Sequence, residues 1–416
     1  MIYNIITINA GTRYMSLDFK MMATKYDTPL YIYNFDYISE RYKELKVAFG
    51  GQKSLINYAV KANSNLSVIS HLATQGAGAD CVSIGEVRRA LKAGVSKYKI
   101  IFSGVGKLDS EIKEALESDI LLINLESEAE MKRVEAVAME LGIEARISVR
   151  VNPNIDAKTH PYISTGLHDN KFGVEIDMAK RMYIYAKKSA NLNPVGIHFH
   201  IGSQLTELEP ISEACEIVAD LTKTLKALKI DIKFFDVGGG LGVVYKDEST
   251  ISVNDYAQMI KEKTKKLDVT ILCEPGRYMV ANSGYFLTKV LYEKQTDSKR
   301  FVIVDGGMND LLRPSLYEAY HRIEAVGVEG NKTLADVVGP VCESGDFLGK
   351  DVSLPPLEHN DLLVVHSAGA YGFSMSSNYN TRNRVAEVAL QDGNDRIIRA
   401  RESFEDQIRL EVAYLQ

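Results

Sequence analysis

At 416 residues, with 45% hydrophobic and 25% charged positions, the chain has room for two or more domains with ordinary globular cores. A formal net charge of -6 gives no electrostatic reason to expect nucleic acid or an anionic membrane as partner, which leaves a small-molecule substrate. Cys81, Cys215, Cys273 and Cys342 lie far apart without CxxC or Cys/His spacing, so neither a disulfide framework nor a bound metal is expected, and a reducing cytoplasm fits.

The start, MIYNIITINAGTRYMSLDFK, has no basic segment leading into a sustained apolar run, and no apolar run elsewhere is long enough to span a bilayer. Residues 1–33 read as strand-like around IYNIITI and LYIYN and are expected to pair with a β domain further along. From residue 34 to 280, apolar runs rich in Val, Ile and Phe alternate with amphipathic patterns such as LDSEIKEALES and SEAEMKRVEAVAMEL, the mark of a parallel α/β fold. The runs SLINYAVK, GADCVS, KIIFSGVG, ILLINLES, ARISVRVNP, VGIHFHIGS, KFFDVGGG and VTILCEPG supply eight strands, which predicts a (β/α)8 TIM barrel, with a doubly wound open sheet as the alternative. Lys61, Asp80, Ser103, Asn124, Arg150, Asn152, His198, His200, Asp236, Glu274 and Arg277 all fall at or near strand ends, where barrel active sites lie. After residue 280 the pattern becomes Gly-punctuated, with FVIVDGG, ADVVGPVCESGD, DLLVVHSAGAYGF and NRVAEVAL predicting a mostly β domain over 281–416.

Three features carry chemistry. Lys61 closes an apolar run, and burying a lone ammonium is costly, so it is paired, escaping to solvent or used chemically. Strand alternation puts Asn57, Ala59 and Lys61 on one face, aiming the lysine at the barrel mouth over small Ala59. Gly238, Gly239 and Gly240 after the seventh barrel strand, and CEPGR after the eighth, place bare backbone N–H groups where barrels bind phosphate. A lysine beside a phosphate site suits a Schiff base to pyridoxal 5'-phosphate, whose ring nitrogen needs an acidic partner, with Glu274 the candidate. The same cofactor calls for a flat group against its ring, with His198 and His200 both available. Asn154 to Gly173 is long for a βα connection and is expected to act as a lid or specificity loop.

Together YAVKAN, HFHIGSQ, DVGGGLG, CEPGR, VVGPVCESGD and SAGAYGFSM resemble, in order, the motifs of the fold-type III, alanine-racemase-like pyridoxal-phosphate decarboxylases. The resemblance runs from Thr28 to Val388. Within that family THPYISTGLHDNKFGV and GMNDLLRPSLYEAYHRI are most similar to members that decarboxylate meso-diaminopimelate to L-lysine. It implies that Lys61 holds the cofactor, His200 stacks on its ring and Glu274 meets the ring nitrogen. Phosphate contacts are implied for Ser203, Gly239, Gly240, the 274–277 loop with Gly276 and Arg277, and Tyr371. Substrate contacts are implied for Arg277, Arg313, Tyr317, Glu343 and Tyr371, and Cys342 is implied as a proton donor supplied by the partner in a homodimer.

The implied roles make chemical sense, since two arginines grip a distal carboxylate, Glu343 pairs a distal ammonium and a thiol returns a proton. Taken without the resemblance, Arg313 reads as a surface ion-pair residue, Tyr317 and Tyr371 as core aromatics, and Cys342 as a small buried hydrophobe. Competing functions on the same scaffold are a decarboxylase of ornithine, arginine or carboxynorspermidine, and a non-catalytic cofactor-binding regulator. RPSLYEAYH and CES argue against the first, and Lys61, Glu274 and Cys342 together against the second.

Overall fold

The computed structural model describes residues 17–156, 165 and 170–415. The expected IYNIITI strand and most of the expected lid lie outside those residues. The described residues divide into two compact units, one made of residues 17–36 and 280–415, the other drawn from Tyr37–Met279.

The first strand, β1 (Leu30–Asn34), belongs to the former unit. The second unit is built on β2 (Ser54–Ala59), β3 (Gly78–Cys81), β4 (Ile100–Phe102), β5 (Leu122–Leu125), β6 (Ala145–Arg150), β7 (Leu192–His198), β8 (Phe234–Asp236) and β9 (Thr270–Cys273). Each pairs in parallel with the next, and β9 returns to β2 with Leu272 opposite Leu55, so the ring closes and the open-sheet alternative falls. Seven of the eight quoted runs contain one of these strands, and VGIHFHIGS covers β7 from Val195 onward.

The connecting helices form for local reasons. In Glu128–Leu141 the Ser127 hydroxyl caps the Glu130 N–H, Met131, Val134 and Ala138 bury one stripe, and left-handed Gly142 ends the helix. Losing the Ser127 cap is worth about 1 kcal/mol.

Alternation within the strands sorts the barrel interior into layers. Leu55, Ile101, Leu122, Val195, Phe234 and Leu272 pack as one apolar plug. Two residues further along, toward the C-terminal strand ends, five of these six strands give Asn57, Ser103, Asn124, Asp236 and Glu274, and β7 gives Ile197, all buried. Burying so many polar groups on a dry floor demands partners. Asn124 Nδ2 donates to Ser103 Oγ at 3.0 Å, and Asn57 Nδ2 to the Lys99 carbonyl at 2.9 Å.

The other unit is mostly β, with β10 (Gly284–Gln295), β11 (Arg300–Val304), β12 (Ile323–Ala325), β13 (Thr333–Val338), β14 (Phe347–Leu354), β15 (Leu362–Val365), β16 (Ala386–Gln391) and β17 (Asn394–Arg399). Its main path runs β14-β13-β11-β10-β1-β16-β17, with β15 on β10 and β12 on β15. Strand β1 lies between antiparallel β10 (Leu30 opposite Leu287) and parallel β16 (Leu30 opposite Ala386), over a core of Phe19, Met22, Ile32, Val364 and Val388. Strands β10, β12, β14 and β17 are additions to the sequence reading. Exposed Lys, Glu, Asp and Arg within β10, β14 and β17 blur the alternation that marks a half-buried strand, and β12 is only three residues long.

Candidate active site

Lys61 does not extend β2. It lies in a single 3-10 turn, Val60–Ala62, so the turn rather than strand alternation aims its side chain. Its Nζ donates to Asp80 Oδ2 at 2.9 Å; the Lys61 side chain is 38% exposed and that of Asp80 1%. Lys61 is therefore both paired and reachable. Burial raises the Asp80 pKa, nearby Glu274 raises it further, and Lys61 opposes both. Glu86, the third residue of helix Ile84–Lys92, accepts the Val82 N–H at 2.8 Å, and burial lifts its carboxyl to about 7 against the pull of Lys61.

Glu274 follows β9 and is buried, with Oε2 lying 3.3 Å from His198 Nε2, though not aligned as a hydrogen bond. Burial alone would raise its pKa; His198 and Lys61 outweigh that and hold it well below the usual carboxylate range. Its Oε1 is buried without a donor. Asp236, at the end of β8, accepts the Gly238 N–H on Oδ1 at 2.9 Å while Oδ2 has no donor, and burial beside Glu274 drives its pKa well up. One ligating atom each from His198, Asp236 and Glu274 lies within 4.8 Å of the others. A cation would fit that spacing, yet it would consume the Glu274 carboxylate beside a lysine that already supplies positive charge.

His200 continues the β7 line. Burial, reinforced by Arg150 and Lys61, lowers its pKa well below the usual value, so the ring is neutral. Its Nδ1 accepts the Gly239 N–H at 3.2 Å, which places the ring proton on Nε2. Arg150 steadies this segment through the His200 carbonyl (3.2 Å) and is itself paired with buried Glu126 at 3.1 Å. Thr165 also donates its hydroxyl to the His200 carbonyl at 2.9 Å.

The glycine turn is set by contact rather than by composition. A Cβ at Gly239 would stand 2.3 Å from the Glu274 carbonyl oxygen; at Gly240, where φ is +106°, it would stand 2.5 Å from the Gly202 carbonyl oxygen. Leu205 N–H donates to Gly240 O at 2.8 Å, joining the loops after β7 and β8. Buried Arg277, just beyond Gly276, donates to Ser203 Oγ at 3.0 Å and to the Tyr245 hydroxyl at 2.7 Å. Lys61, His200, Ser203, Gly239, Gly240, Glu274, Gly276 and Arg277 thus belong to one barrel unit, and the three loops that carry all but Lys61 are hydrogen-bonded to one another.

Arg313, Tyr317, Cys342, Glu343 and Tyr371 belong to the other unit. Arg313 is buried at the start of helix Arg313–Tyr317, not a surface ion-pair residue, and Tyr317 is only half-buried. Cys342 is exposed, against the expectation of a buried hydrophobe, and its N–H donates to Asn380 Oδ1 at 2.8 Å. Ser315 Oγ donates to the Gly345 carbonyl at 2.6 Å, so the Arg313 helix and the Cys342–Glu343 loop are tied together within one chain. Tyr371 is half-buried with φ of +57°, a conformation that costs a non-glycine residue about 1–2 kcal/mol and is typical of functional turns.

Pyridoxal phosphate fits the barrel residues on two observations. The donorless Oε1 of an anionic Glu274 is the acceptor a protonated ring nitrogen requires, and the side-chain-free backbone at Gly239 and Gly240 beside Arg277 is what a phosphate requires. Glu86, Glu126 and Tyr245 were not singled out from sequence. Glu126 was findable, since Leu122, Asn124 and Glu126 alternate along β5 and its continuation; Glu86 reads only as a helix-capping residue.

Residues 35–281 match the family model described as the pyridoxal-binding domain of pyridoxal-dependent decarboxylases. The chain is 62% identical over 401 residues to a diaminopimelate decarboxylase of Campylobacter jejuni, covering 96% of this chain and 100% of that one. The crystal structure of diaminopimelate decarboxylase from Helicobacter pylori complexed with L-lysine superposes with a TM-score of 0.93 at 56% identity, covering 96% and 100%. That of M. jannaschii, also in complex with L-lysine, gives 0.91 at 37% identity, covering 98% of each chain. With these likenesses added to the barrel geometry, the chain belongs to the fold-type III pyridoxal-dependent decarboxylases, the family of the diaminopimelate decarboxylases.

Proposed function

We propose that this chain decarboxylates meso-2,6-diaminopimelate to L-lysine and CO2 with pyridoxal 5'-phosphate bound at Lys61. The observation that carries the reading is the pairing, in one barrel rim, of a reachable lysine with a buried carboxylate held anionic and missing a donor. When bound, the cofactor supplies a carbonyl that joins amines covalently and a ring that takes up the electron pair released as CO2 leaves. Asp80, 2.9 Å from Lys61 Nζ and with a raised pKa, is placed to accept the proton the lysine must lose to act as a nucleophile. Glu274 would hold a proton at the ring nitrogen, and neutral His200 would offer a flat face without adding charge. Ser203, Gly239, Gly240, Gly276, Arg277 and Tyr371 hold the phosphate.

Arg313 and Arg277 grip the distal carboxylate, with Tyr317 and Tyr371 beside it, and Glu343 pairs the distal ammonium. Exposed Cys342 protonates the carbon that lost CO2. Its exposure supports donation across the boundary of a homodimer, so that each site draws on two chains. The four free cysteines support a reducing cytoplasm; among the described residues no helix is long and apolar enough to cross a membrane.

The test is CO2 release from meso-diaminopimelate, ornithine, arginine and carboxynorspermidine at equal concentration, with borohydride trapping and peptide mapping of the cofactor. Turnover of meso-diaminopimelate and a label on Lys61 are expected. An inert diaminopimelate with another substrate consumed, or a label on a different side chain, overturns the reading.

A further inference from the structure

Asp236 is a buried carboxyl of the barrel to which the proposed reaction gives no part. Asp236 is 2% exposed and lies at the end of β8, one layer above the apolar plug. Its Oδ1 is committed to the Gly238 N–H, the first amide of the glycine turn, at 2.9 Å. Its Oδ2 is buried with no donor, and Glu274 Oε1 is in the same condition. Two buried carboxylates with ligating oxygens within 4.8 Å of each other, each with one oxygen lacking a donor, do not both stay ionised, because each repels the other.

The surrounding charges decide which one keeps the proton. Lys61 follows β2, Asp80 lies on β3, Arg150 on β6 is committed to Glu126, His198 and His200 come from the β7 segment, and Cys273 lies on β9. His198 and Lys61 act on Glu274 and favour its anion, whereas Asp236 has Asp80 and Glu274 as its charged neighbours. One proton on Asp236 satisfies its own Oδ2, removes the repulsion and gives Glu274 a donor on one acceptor lone pair, leaving another for the ring nitrogen.

We propose that Asp236 is a positioning residue that carries a proton and, by donating it in a hydrogen bond to Glu274, fixes the orientation and the negative charge of the carboxylate that meets the cofactor ring. The same side chain holds the start of the glycine turn through Gly238, so one residue couples the ring-nitrogen end of the site to the phosphate end. The inference rests on the cofactor reading above, because it needs Glu274 to face the ring.

Asp236→Asn is nearly isosteric and uncharged, and its amide donates as a protonated carboxyl does. The infrared difference between wild type and this variant, recorded on the holoprotein at neutral pH, should show the C=O band of a neutral carboxylic acid in the wild type only. Cofactor affinity should stay within about threefold for Asp236→Asn and fall about tenfold or more for Asp236→Ala, which leaves Glu274 without its donor. Loss of a carboxylate band in place of the acid band, or equal damage from both variants, overturns the proposal. So does equal indifference to both, or a stoichiometric divalent cation that the wild type holds and Asp236→Asn loses. If Asp236→Asn does not fold, Glu274→Gln must shift the acid band of the folded protein, and an unshifted band overturns the proposal. Failure of the wild type to bind pyridoxal phosphate would sink the functional reading instead and leave the acid band to stand or fall alone.

Discussion

Glu86 offers a quantitative check on the electrostatics of the barrel mouth. Its carboxyl is lifted from 4.5 to about 7, mainly by burial, so between those values the folded chain keeps a proton that the unfolded chain releases. The contribution is fully present below about 4.5 and is lost as pH rises through about 7, above which ionised Glu86 is a net burden. At about 1.4 kcal/mol per pH unit the interval is worth about 3 kcal/mol, and partial exposure of the side chain discounts this to about 1–3 kcal/mol. Glu86→Gln keeps an acceptor for the Val82 N–H and cannot titrate. It should therefore raise Tm at pH 8 by roughly 3–10 °C in a unit of this size, with the gap shrinking severalfold at pH 5. Parallel circular-dichroism melts of wild type and variant across that range provide the assay. A gap that is independent of pH, or a variant less stable at pH 8, would refute the reasoning.

Gly239→Ala forces a Cβ to within 2.3 Å of the Glu274 carbonyl oxygen, where backbone rather than a side chain must yield; cofactor affinity by absorbance titration should fall about tenfold or more with the fold retained. Arg313→Ala should lower kcat/KM for meso-diaminopimelate by about two orders of magnitude, about 3 kcal/mol for a lost charge-assisted contact, and an unchanged value removes Arg313 from the substrate site. Cys342→Ala should slow product formation while the bound-cofactor spectrum is unaltered; a collapsed spectrum would make Cys342 structural.

The barrel was legible because its signals are local. Eight apolar runs separated by amphipathic helices constrain topology tightly, and polar residues at strand ends announce the site. Lys61 was singled out on strand alternation, whereas a 3-10 turn after Ala59, invisible to a period-two count, sets its direction. Strands β10, β14 and β17 stayed hidden because their alternation is broken by surface charge, so that pairing partners rather than propensity define them. Glu86 was hidden for another reason: its sequence context is that of a helix cap, and only burial beside Lys61 and Asp80 alters its chemistry. The exposure of Cys342 and the burial of Arg313 likewise depend on tertiary packing that neither residue's neighbours reveal.

The layering of the barrel explains why the charges gather where they do. Phe234 and Leu272 pack in the plug, and two residues on, the same strands carry Asp236 and Glu274. The alternation that makes the floor dry also aims the carboxylates into it. Such a floor penalises every unpaired charge, so each group must find a partner within the site: Lys61 with Asp80, Arg150 with Glu126, Glu274 beside His198. Where partners run short the penalty appears as a raised pKa, at Asp80, Glu86 and Asp236. Neutralising Glu86 should therefore stabilise the barrel, whereas removing Asp80 strands the Lys61 ammonium and removing Asp236 strands Glu274, so the stability the site gives up is tied to the neighbours that set its charges.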